Sequence, residues 1–426
     1  MKKLLLCAVL TIAATASLAS CGGQKEEFKP ALDVETKCNI KVVGTYDNFE
    51  ALDAVIDKFN MIYPKVEIDY EKPDGYETML PTALSGNDRP NIFFAEPKWL
   101  ANEEYAPIVS HMEDLSDPNL KINVDCVRTG LIKRDASNKV PMVPVFSRTY
   151  GALVNNDLFK KENLKVPTTW DGLLETCKSF LDKGYKSPMM GYTTKADPSN
   201  NFMNVVAYPS FLATLSKNPQ ALALANALDP SAGEYMRDAL TAVDQLVKNK
   251  CVDVSECNQI GDNYKKLILR FFEGDVPMML CNGDTVSGTK KRETESEAYA
   301  QSKFSYSFYP IPVSAQGGYF IDSPSLQLSV NKDCENLDMT NEFMRFLISD
   351  SSLNEMASIK RLTTSSKKIS FDSVYAPFGK IPTERTISPE ALGVSDQLFK
   401  QIRVASYKVG KGELSIDEAV ANYGSF

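Results

Sequence analysis

Hydrophobic and polar positions follow two different periods along the first part of the chain. Residues 40–43 form a short run rich in β-branched residues, residues 49–62 place apolar side chains at helical spacing, and residues 66–70 alternate as a strand does. Pro64 closes the helical pattern. A strand, a helix and a strand in this order predict a parallel pair joined by a right-handed crossover.

The same alternation continues to the end of the chain. Residues 92–95 are an unbroken apolar run, typical of a strand covered on both faces, and residues 168–171 (Thr-Thr-Trp-Asp) predict the capped start of a helix. Helices are predicted at 76–84, 170–183, 201–215, 220–228, 232–248, 263–273, 336–347 and 395–409. Strands are predicted at 140–146, 150–154, 189–191, 276–280, 304–309 and 326–330. Helices alternating with short strands predict an α/β fold.

The N-terminus carries the pattern of an export signal. Two lysines precede a stretch without charged residues at 4–18, and small residues stand directly before Cys21. This order resembles the bacterial lipoprotein signal, in which the cysteine is acylated and becomes the mature N-terminus. We therefore predict a signal peptide over residues 1–20, lipidation of Cys21 and a short polar tether over residues 21–37.

The length and the net charge of the chain indicate how many domains it forms and which partners it does not bind. About 400 residues follow the predicted signal peptide, more than a single hydrophobic core usually serves, so two domains are expected. No later segment approaches the roughly 18 consecutive apolar residues that a membrane-spanning helix needs, so we expect membrane contact only through the lipid. The formal net charge of −8 argues against a nucleic-acid partner. We expect a monomer.

The number and spacing of cysteine and histidine residues limit which disulfides, metal sites and catalytic groups the chain can form. Cys251 and Cys257 stand close enough in sequence to form a local disulfide, although both could equally be buried thiols. His111 is the only histidine, and the sequence has no CxxC or HxxxH pattern of the kind that holds zinc. We therefore predict no metal site, no cofactor and no histidine-based catalysis.

Several segments follow one another in a characteristic order. They are residues 59–66 (FNMIYPKV), 84–94 (LSGNDRPNIFF), 143–170 with its Tyr-Gly, Asn-Asn-Asp-Leu-Phe and Pro-Thr-Thr-Trp runs, 272–279 (FEGDVPMM), 326–330 (LQLSV) with the helix that follows, and 412–419 (GELSIDEA). Together they resemble the extracellular solute-binding proteins of ATP-binding-cassette importers, the maltose-binding-protein-like group. The resemblance spans most of the mature chain, although Val154 replaces the tyrosine usual in the family.

This resemblance implies a two-lobed, periplasmic-binding-protein-like fold of type II, with a mainly parallel sheet flanked by helices in each lobe and a ligand cleft between the lobes. It places lobe 1 at residues 38–150, with part of 310–350 returning to it, lobe 2 at residues 151–309, and the helices of residues 351–426 against both. The implied function is that of an extracytoplasmic receptor, not an enzyme, which delivers a mono- or oligosaccharide to the permease subunits of an importer.

Candidate ligand residues follow the strand ends, where open α/β sheets bind their ligands. Tyr46 and Asp47 follow the first strand. Asp47 can accept hydrogen bonds from sugar hydroxyls or, alternatively, cap the next helix. Glu96 and Trp99 follow the strand at 92–95, and Trp99 can offer its indole face to a pyranose ring or pack into its own segment.

Further candidates lie at the crossing between the lobes and in later loops. Arg148 stands where the family often has a ligand carboxylate, and it would favour an acidic sugar or another anion unless it forms a surface ion pair. The sequence lacks the tryptophan that many sugar binders carry after the glycine at position 283. Phe146 and Tyr150 are candidates at the same crossing. The later candidates, each of which could instead be ordinary loop or core, are Tyr192, Asn282, Asp284, Tyr319 and Phe320.

Other functions fit the same sequence. The fold could bind an anion, a polyamine or a phosphate ester instead of a sugar. A lipoprotein of this fold could also hold carbohydrate or a host molecule at the cell surface without serving an importer. An exported enzyme acting on glycosides is the third alternative, and it would have to use a pair of carboxylates, because the Gly-x-Ser-x-Gly nucleophile motif is absent from the sequence.

Overall fold

A computed structural model describes residues 28–193, 201–261 and 263–426, so Cys21 and the predicted signal peptide lie outside the described residues. The strands are β1 (Cys38–Val43), β2 (Val66–Glu71), β3 (Ile92–Ala95), β4 (Val143–Pro144), β5 (Phe146–Arg148), β6 (Tyr150–Asn155), β7 (Met189–Met190), β8 (Met278–Asn282), β9 (Tyr306–Tyr309), β10 (Phe320–Ile321), β11 (Ser323–Pro324), β12 (Gln327–Val330), β13 (Thr363–Thr364) and β14 (Thr386–Ile387).

The helices are α1 (Glu50–Asn60), α2 (Tyr76–Ser85), α3 (Ala106–Val109), α4 (Asn156–Lys161), α5 (Trp170–Asp182), α6 (Phe202–Leu215), α7 (Pro219–Asn226), α8 (Arg237–Lys248), α9 (Val254–Ile260), α10 (Tyr264–Phe271), α11 (Gly283–Glu295), α12 (Glu297–Ser302), α13 (Leu337–Leu347), α14 (Asp350–Lys360), α15 (Pro389–Leu392), α16 (Asp396–Gly410) and α17 (Ile416–Ala421). Short 3-10 turns connect many of these elements.

Lobe 1 is built on a five-stranded sheet in the order β2-β1-β3-β12-β4. β1 pairs in parallel with β2, as the strand-helix-strand pattern predicted, and also with β3. β12 returns from much later in the chain and pairs antiparallel with both β3 and β4. The apolar faces of α1, α13 and α14 share one core with this sheet. The C-terminal ends of β1 and β3 therefore lie at the same edge as the start of β12.

Lobe 2 contains a four-stranded sheet in the order β7-β8-β6-β9, and here the expectation of a mainly parallel sheet is wrong. β7 and β8 are parallel, whereas β6 runs antiparallel to both β8 and β9. The chain enters lobe 2 along β6 and leaves it after β9. Because both strands connect to the same side of the lobe, they run in opposite directions. The helix α6 packs on this sheet, and α8 and α16 pack on α6, in the larger of the two cores of lobe 2.

Three passages of the chain between the lobes form a small antiparallel sheet, β11-β5-β13, which we call the hinge sheet. The Arg128 side chain of lobe 1 stabilises the hinge sheet through an ion pair and hydrogen bonds. Its Nε lies 2.7 Å from Asp322 Oδ2 and its Nη2 lies 2.8 Å from Asp322 Oδ1. The same guanidinium donates to Ser147 Oγ at 2.9 Å and to the carbonyl oxygen of Ser366 at 2.7 Å. One side chain thus connects residues of all three passages.

The differences from the predicted elements have local causes. The strand predicted at 140–146 is divided into β4, which belongs to lobe 1, and β5, which belongs to the hinge sheet. Pro144 has no N–H group to continue the pairing of β4. The helix predicted at 232–248 is α-helical only from Arg237, after a 3-10 helix at Pro230–Met236. Phe49, rather than Asp47, is the N-cap residue of α1, and it makes no side-chain capping bond.

The predicted local disulfide between Cys251 and Cys257 is not formed. Both residues are buried free thiols. The Cys251 thiol lies beside the thiol of Cys177 in α5, and burial raises the pKa of Cys257 to about 12, which keeps that thiol protonated. The helix α9 starts between the two cysteines and directs them to different neighbours. Within the described ranges, no helix is both long and apolar enough to span a bilayer.

Candidate ligand-binding site

A cleft with a volume of about 900 Å³ lies between the two lobes. Lobe 1 contributes the segments that follow β1 and β3 and the start of β12, and lobe 2 contributes the segments after β7 and β8 and the facing sides of α10 and α11. Arg148 of the hinge sheet lines the cleft between them. Pockets of roughly 300–1,000 Å³ are typical of small-molecule sites. The cleft thus has the size and the position of a ligand site.

Most of the predicted ligand residues line this cleft, because strand ends of both sheets meet there. They are Tyr46, Asp47, Glu96, Trp99, Arg148, Tyr192, Asn282 and Asp284. The other four candidates do not line it. Phe146 is buried in the core of lobe 1, Tyr150 and Tyr319 in the larger core of lobe 2, and Phe320 in the smaller one. Burial of an aromatic ring in a core gains more free energy than exposure in a solvated cleft.

The loop after β1 is fixed before any ligand arrives. The hydroxyl of Tyr70 accepts a hydrogen bond from the Tyr46 N–H at 2.9 Å and donates to the Tyr46 carbonyl at 3.0 Å. The Tyr46 ring packs edge-on against Phe49 and Phe94, with centroids 5.1 and 5.6 Å away. Gly44 permits this cluster, because a Cβ there would lie 2.5 Å from the Phe94 ring. Burial raises the pKa of Tyr46, so its hydroxyl stays protonated at the cleft wall.

Arg148 forms an ion pair at the wall of the cleft. Its Nη1 lies 3.2 Å from Asp284 Oδ2. Burial alone would lower the pKa of Arg148, but Asp284, Tyr150 and Glu96 together outweigh this effect and the pKa is raised. Arg148 is therefore one half of an ion pair, and its charge is not free to select an anionic ligand. Other cleft carboxylates are paired in the same way, as Asp47 with Lys72, Glu50 with Lys360 and Glu77 with Lys98.

The profile of the bacterial extracellular solute-binding proteins matches residues 54–376. This range covers most of both lobes and includes the hinge sheet. The chain belongs to this family. The family consists of binding proteins rather than enzymes, and it places this solute-binding protein outside the cytoplasm.

Solved structures share the fold of this solute-binding protein. RafE in complex with raffinose has a TM-score of 0.68 at 19% identity, covering 92% of this chain and 98% of that chain. The apo form of RafE from Streptococcus pneumoniae has a TM-score of 0.70 at 18% identity, covering 92% and 97%. The GacH receptor of Streptomyces glaucescens, described unliganded and with acarbose, has a TM-score of 0.66 at 18% identity, covering 92% and 97%. Comparison with curated protein sequences gave no significant match.

Three polar groups at the lobe 1 side of the cleft have no partner among the described residues. Glu96 makes no hydrogen bond or ion pair there. Both amide atoms of Gln327 and the Nε1 of Trp99 are buried and unpartnered, and each residue is only 1% exposed. Gln327 pairs with Ala95 in the sheet, one residue before Glu96. Sequence reasoning missed Gln327, although a glutamine between two leucines at a strand start is an unusual polar position.

The indole face of Trp99 is not available to a sugar ring. It stacks on Tyr105, with centroids 5.7 Å apart and an interplanar angle of 23°. The aromatic that the sequence analysis missed is Tyr264, the first residue of α10, which is 40% exposed and lines the cleft from lobe 2. The Arg292 guanidinium lies 6.0 Å from its ring centre. The sequence signal was an aromatic residue directly after the helix-capping Asn263.

The part of the chain that the structure covers contains no group of three or more histidine, cysteine, aspartate or glutamate side chains arranged to hold a metal ion. The candidate site therefore consists of hydrogen-bonding groups on lobe 1, an exposed aromatic ring on lobe 2 and an internally paired arginine between them.

Proposed function

We propose that this solute-binding protein captures a mono- or oligosaccharide in the cleft and delivers it to the permease subunits of an ATP-binding-cassette importer. The observation that carries the proposal is the composition of the cleft walls: lobe 1 contributes polar groups without a described partner, and lobe 2 contributes the exposed Tyr264 ring. Sugars present both hydroxyl groups and a C–H face, and these two walls complement them. The complexes of RafE with raffinose and of GacH with acarbose support the same class of ligand.

Capture requires the lobes to close on the ligand. A ligand shifts this equilibrium only through its greater affinity for the closed state, so contacts from both lobes are needed. To change the ratio of closed to open protein from 1:99 to 99:1, the ligand must bind the closed state more favourably than the open state by about 5.5 kcal/mol. A stacked ring on one side and several hydrogen bonds on the other can supply it. The hinge sheet, shared by three passages of the chain, is the element about which the lobes rotate.

A thermal-shift assay tests the proposal. We expect neutral oligosaccharides such as raffinose or maltotriose to raise the stability of the purified protein, by about 2.7 kcal/mol when the sugar is present at 100 times its Kd. We expect Tyr264→Ala to weaken that binding about tenfold, because it removes the stacking surface of lobe 2. Tyr407→Ala on α16, outside the cleft, is the control. Absence of a shift with every sugar tested would reject the carbohydrate assignment.

We also propose that residues 1–20 are removed, that Cys21 carries the lipid anchor, and that residues 21–37 connect it to a monomeric two-lobed body. We expect labelled palmitate to be incorporated into the wild-type protein in a bacterial host, and Cys21→Ser to lose the label and the membrane association. Cys38→Ser is the matched control, since that cysteine lies in β1. Unchanged labelling of Cys21→Ser would contradict the anchor. In the proposed division, lobe 1 covers residues 38–150 and part of 310–350, and lobe 2 covers 151–309.

A further inference from the structure

We infer that Glu96, Gln327 and Trp99 form a site for two neighbouring hydroxyl groups of an uncharged sugar ring, at the junction of β3 and β12 on the lobe 1 wall of the cleft. The inference rests on the proposed function and narrows it in two ways. It assigns the residues that anchor one ring, and it excludes acidic sugars as the preferred ligands.

Glu96 is the acceptor of this site. It directly follows β3, and its carboxylate makes no hydrogen bond or ion pair with a described residue, whereas Asp47, Glu77 and Asp284 each have a cationic partner. The surrounding walls raise the pKa of Glu96 through loss of solvation. The Glu96 side chain is exposed to the cleft, so its carboxylate can accept hydrogen bonds from two O–H donors, which two adjacent sugar hydroxyls provide.

Gln327 is the second member of the proposed hydroxyl site, and its buried amide is the feature that supports the site most strongly. Gln327 is 1% exposed and lines the cleft. Neither its amide nitrogen nor its amide oxygen has a hydrogen-bond partner in the described chain. A buried polar group without a partner costs roughly 1–3 kcal/mol. The backbone register of β12 on β3 sets Gln327 beside Ala95 and thus next to Glu96. An amide both donates and accepts, as a hydroxyl does.

Trp99 supplies a further donor. Its ring is held by stacking on Tyr105, which leaves the buried Nε1–H as the one polar atom of the side chain, and this atom has no described partner. Each hydroxyl of a diol donates one hydrogen bond and accepts others. The Glu96 carboxylate accepts hydrogen bonds, the Trp99 N–H donates one, and the Gln327 amide does both. Together these groups can satisfy the donors and acceptors of two sugar hydroxyls.

The charge distribution favours a ligand without net charge. Arg148 is paired with Asp284, whereas the carboxylate of Glu96 makes no hydrogen bond or ion pair with a described residue and is attracted by Lys98 and Arg148 only through space. A sugar carboxylate placed beside Glu96 would be repelled by its negative charge. Lys265, Lys290 and Lys291 line the opposite wall and are exposed, but they belong to α10 and α11 of lobe 2, whereas the hydroxyl site lies on lobe 1.

Isothermal calorimetry tests the inference on the full protein. The probes are the neutral trisaccharide that gives the largest thermal shift and the same sugar with its primary hydroxyls oxidised to carboxylates. We expect the oxidised sugar to bind at least about tenfold more weakly to the wild type. We expect Glu96→Gln to weaken the neutral sugar about ten- to hundredfold and to narrow the gap between the two sugars, because repulsion is removed.

Gln327→Leu gives a readout that a merely structural role would not produce. We expect it to weaken the neutral sugar about tenfold and, at the same time, to raise the Tm of the ligand-free protein by about 2 °C, because the unpartnered buried amide is replaced by an apolar side chain of similar size. Glu113→Gln is the matched control, since its Oε2 is also buried and unpartnered but lies outside the cleft lining. We expect it to bind the sugar as the wild type does.

The outcomes separate this inference from the proposed function. If the wild type binds neutral sugars but Glu96→Gln and Gln327→Leu bind them equally well, the diol site is overturned and the receptor function stands. Tighter binding of the oxidised sugar, or of a trisaccharide carrying ammonium groups, overturns the uncharged ligand class. If no sugar binds the wild type, the proposed function fails and the diol site fails with it.

Discussion

Arg128→Met is expected to lower the free energy of unfolding by about 3–5 kcal/mol, because removing one partner of a buried ion pair leaves the other charge uncompensated. The side chain of Arg128 is 15% exposed and that of Asp322 is 4% exposed. The substitution also removes the donors to Ser147 and to the Ser366 carbonyl. Urea unfolding followed by circular dichroism measures the change.

Two further variants decide the cause of the expected loss. Arg128→Met combined with Asp322→Leu should recover much of the stability, because no buried charge is then left unpaired. Arg237→Met should have a much smaller effect, since Arg237 forms its ion pairs with Glu234 and Asp417 on the surface. If Arg128→Met and Arg237→Met destabilise equally, the hinge pair has no special role in holding the three passages together.

Glu390→Gln is expected to stabilise the protein at alkaline pH and to have little effect at acidic pH. Glu390 lies in α15, beside the turn at Thr129–Leu131 that follows Arg128, and its Oε2 is buried without a partner among the described residues. Burial raises the pKa of Glu390 to about 7; Arg148 opposes this shift and the charge of Asp322 adds to it.

The direction in which the unfolding free energy changes with pH follows from proton linkage. Between the ordinary carboxyl pKa of about 4.5 and the folded value of about 7, the folded protein binds more protons than the unfolded chain. The contribution of Glu390 to the unfolding free energy therefore falls as the pH rises through this window. Above it, the charged carboxylate costs up to about 3 kcal/mol, and Glu390→Gln removes that cost.

Thermal unfolding of wild type and Glu390→Gln between pH 5 and pH 8 checks this expectation. The two curves of Tm against pH should meet near pH 5 and separate toward pH 8, with the variant above. Glu384→Gln, an exposed position shortly before α15, should follow the wild-type curve. A difference between Glu390→Gln and wild type that stays constant across the range would mean that Glu390 does not titrate in this window.

Much of the fold could be predicted from local patterns. The apolar period of residues 49–62 predicted α1, and the unbroken run at residues 92–95 predicted β3, because these patterns depend only on neighbours in sequence. The same rule identified Glu96, since a residue directly after a buried parallel strand stands at the sheet edge where ligands bind. The family resemblance, based on segment order, is confirmed by the profile match.

The sequence by itself therefore determined the α/β character, the family and the strand ends that border the cleft. Tertiary structure alone decided which side chains at those ends are free. Arg148 is neutralised by Asp284, 136 positions later, and Gln327 joins Glu96 because β12 returns to β3. The physical reason is that burial and charge pairing depend on which distant segments meet, whereas helical and strand periods depend on the nearest residues alone.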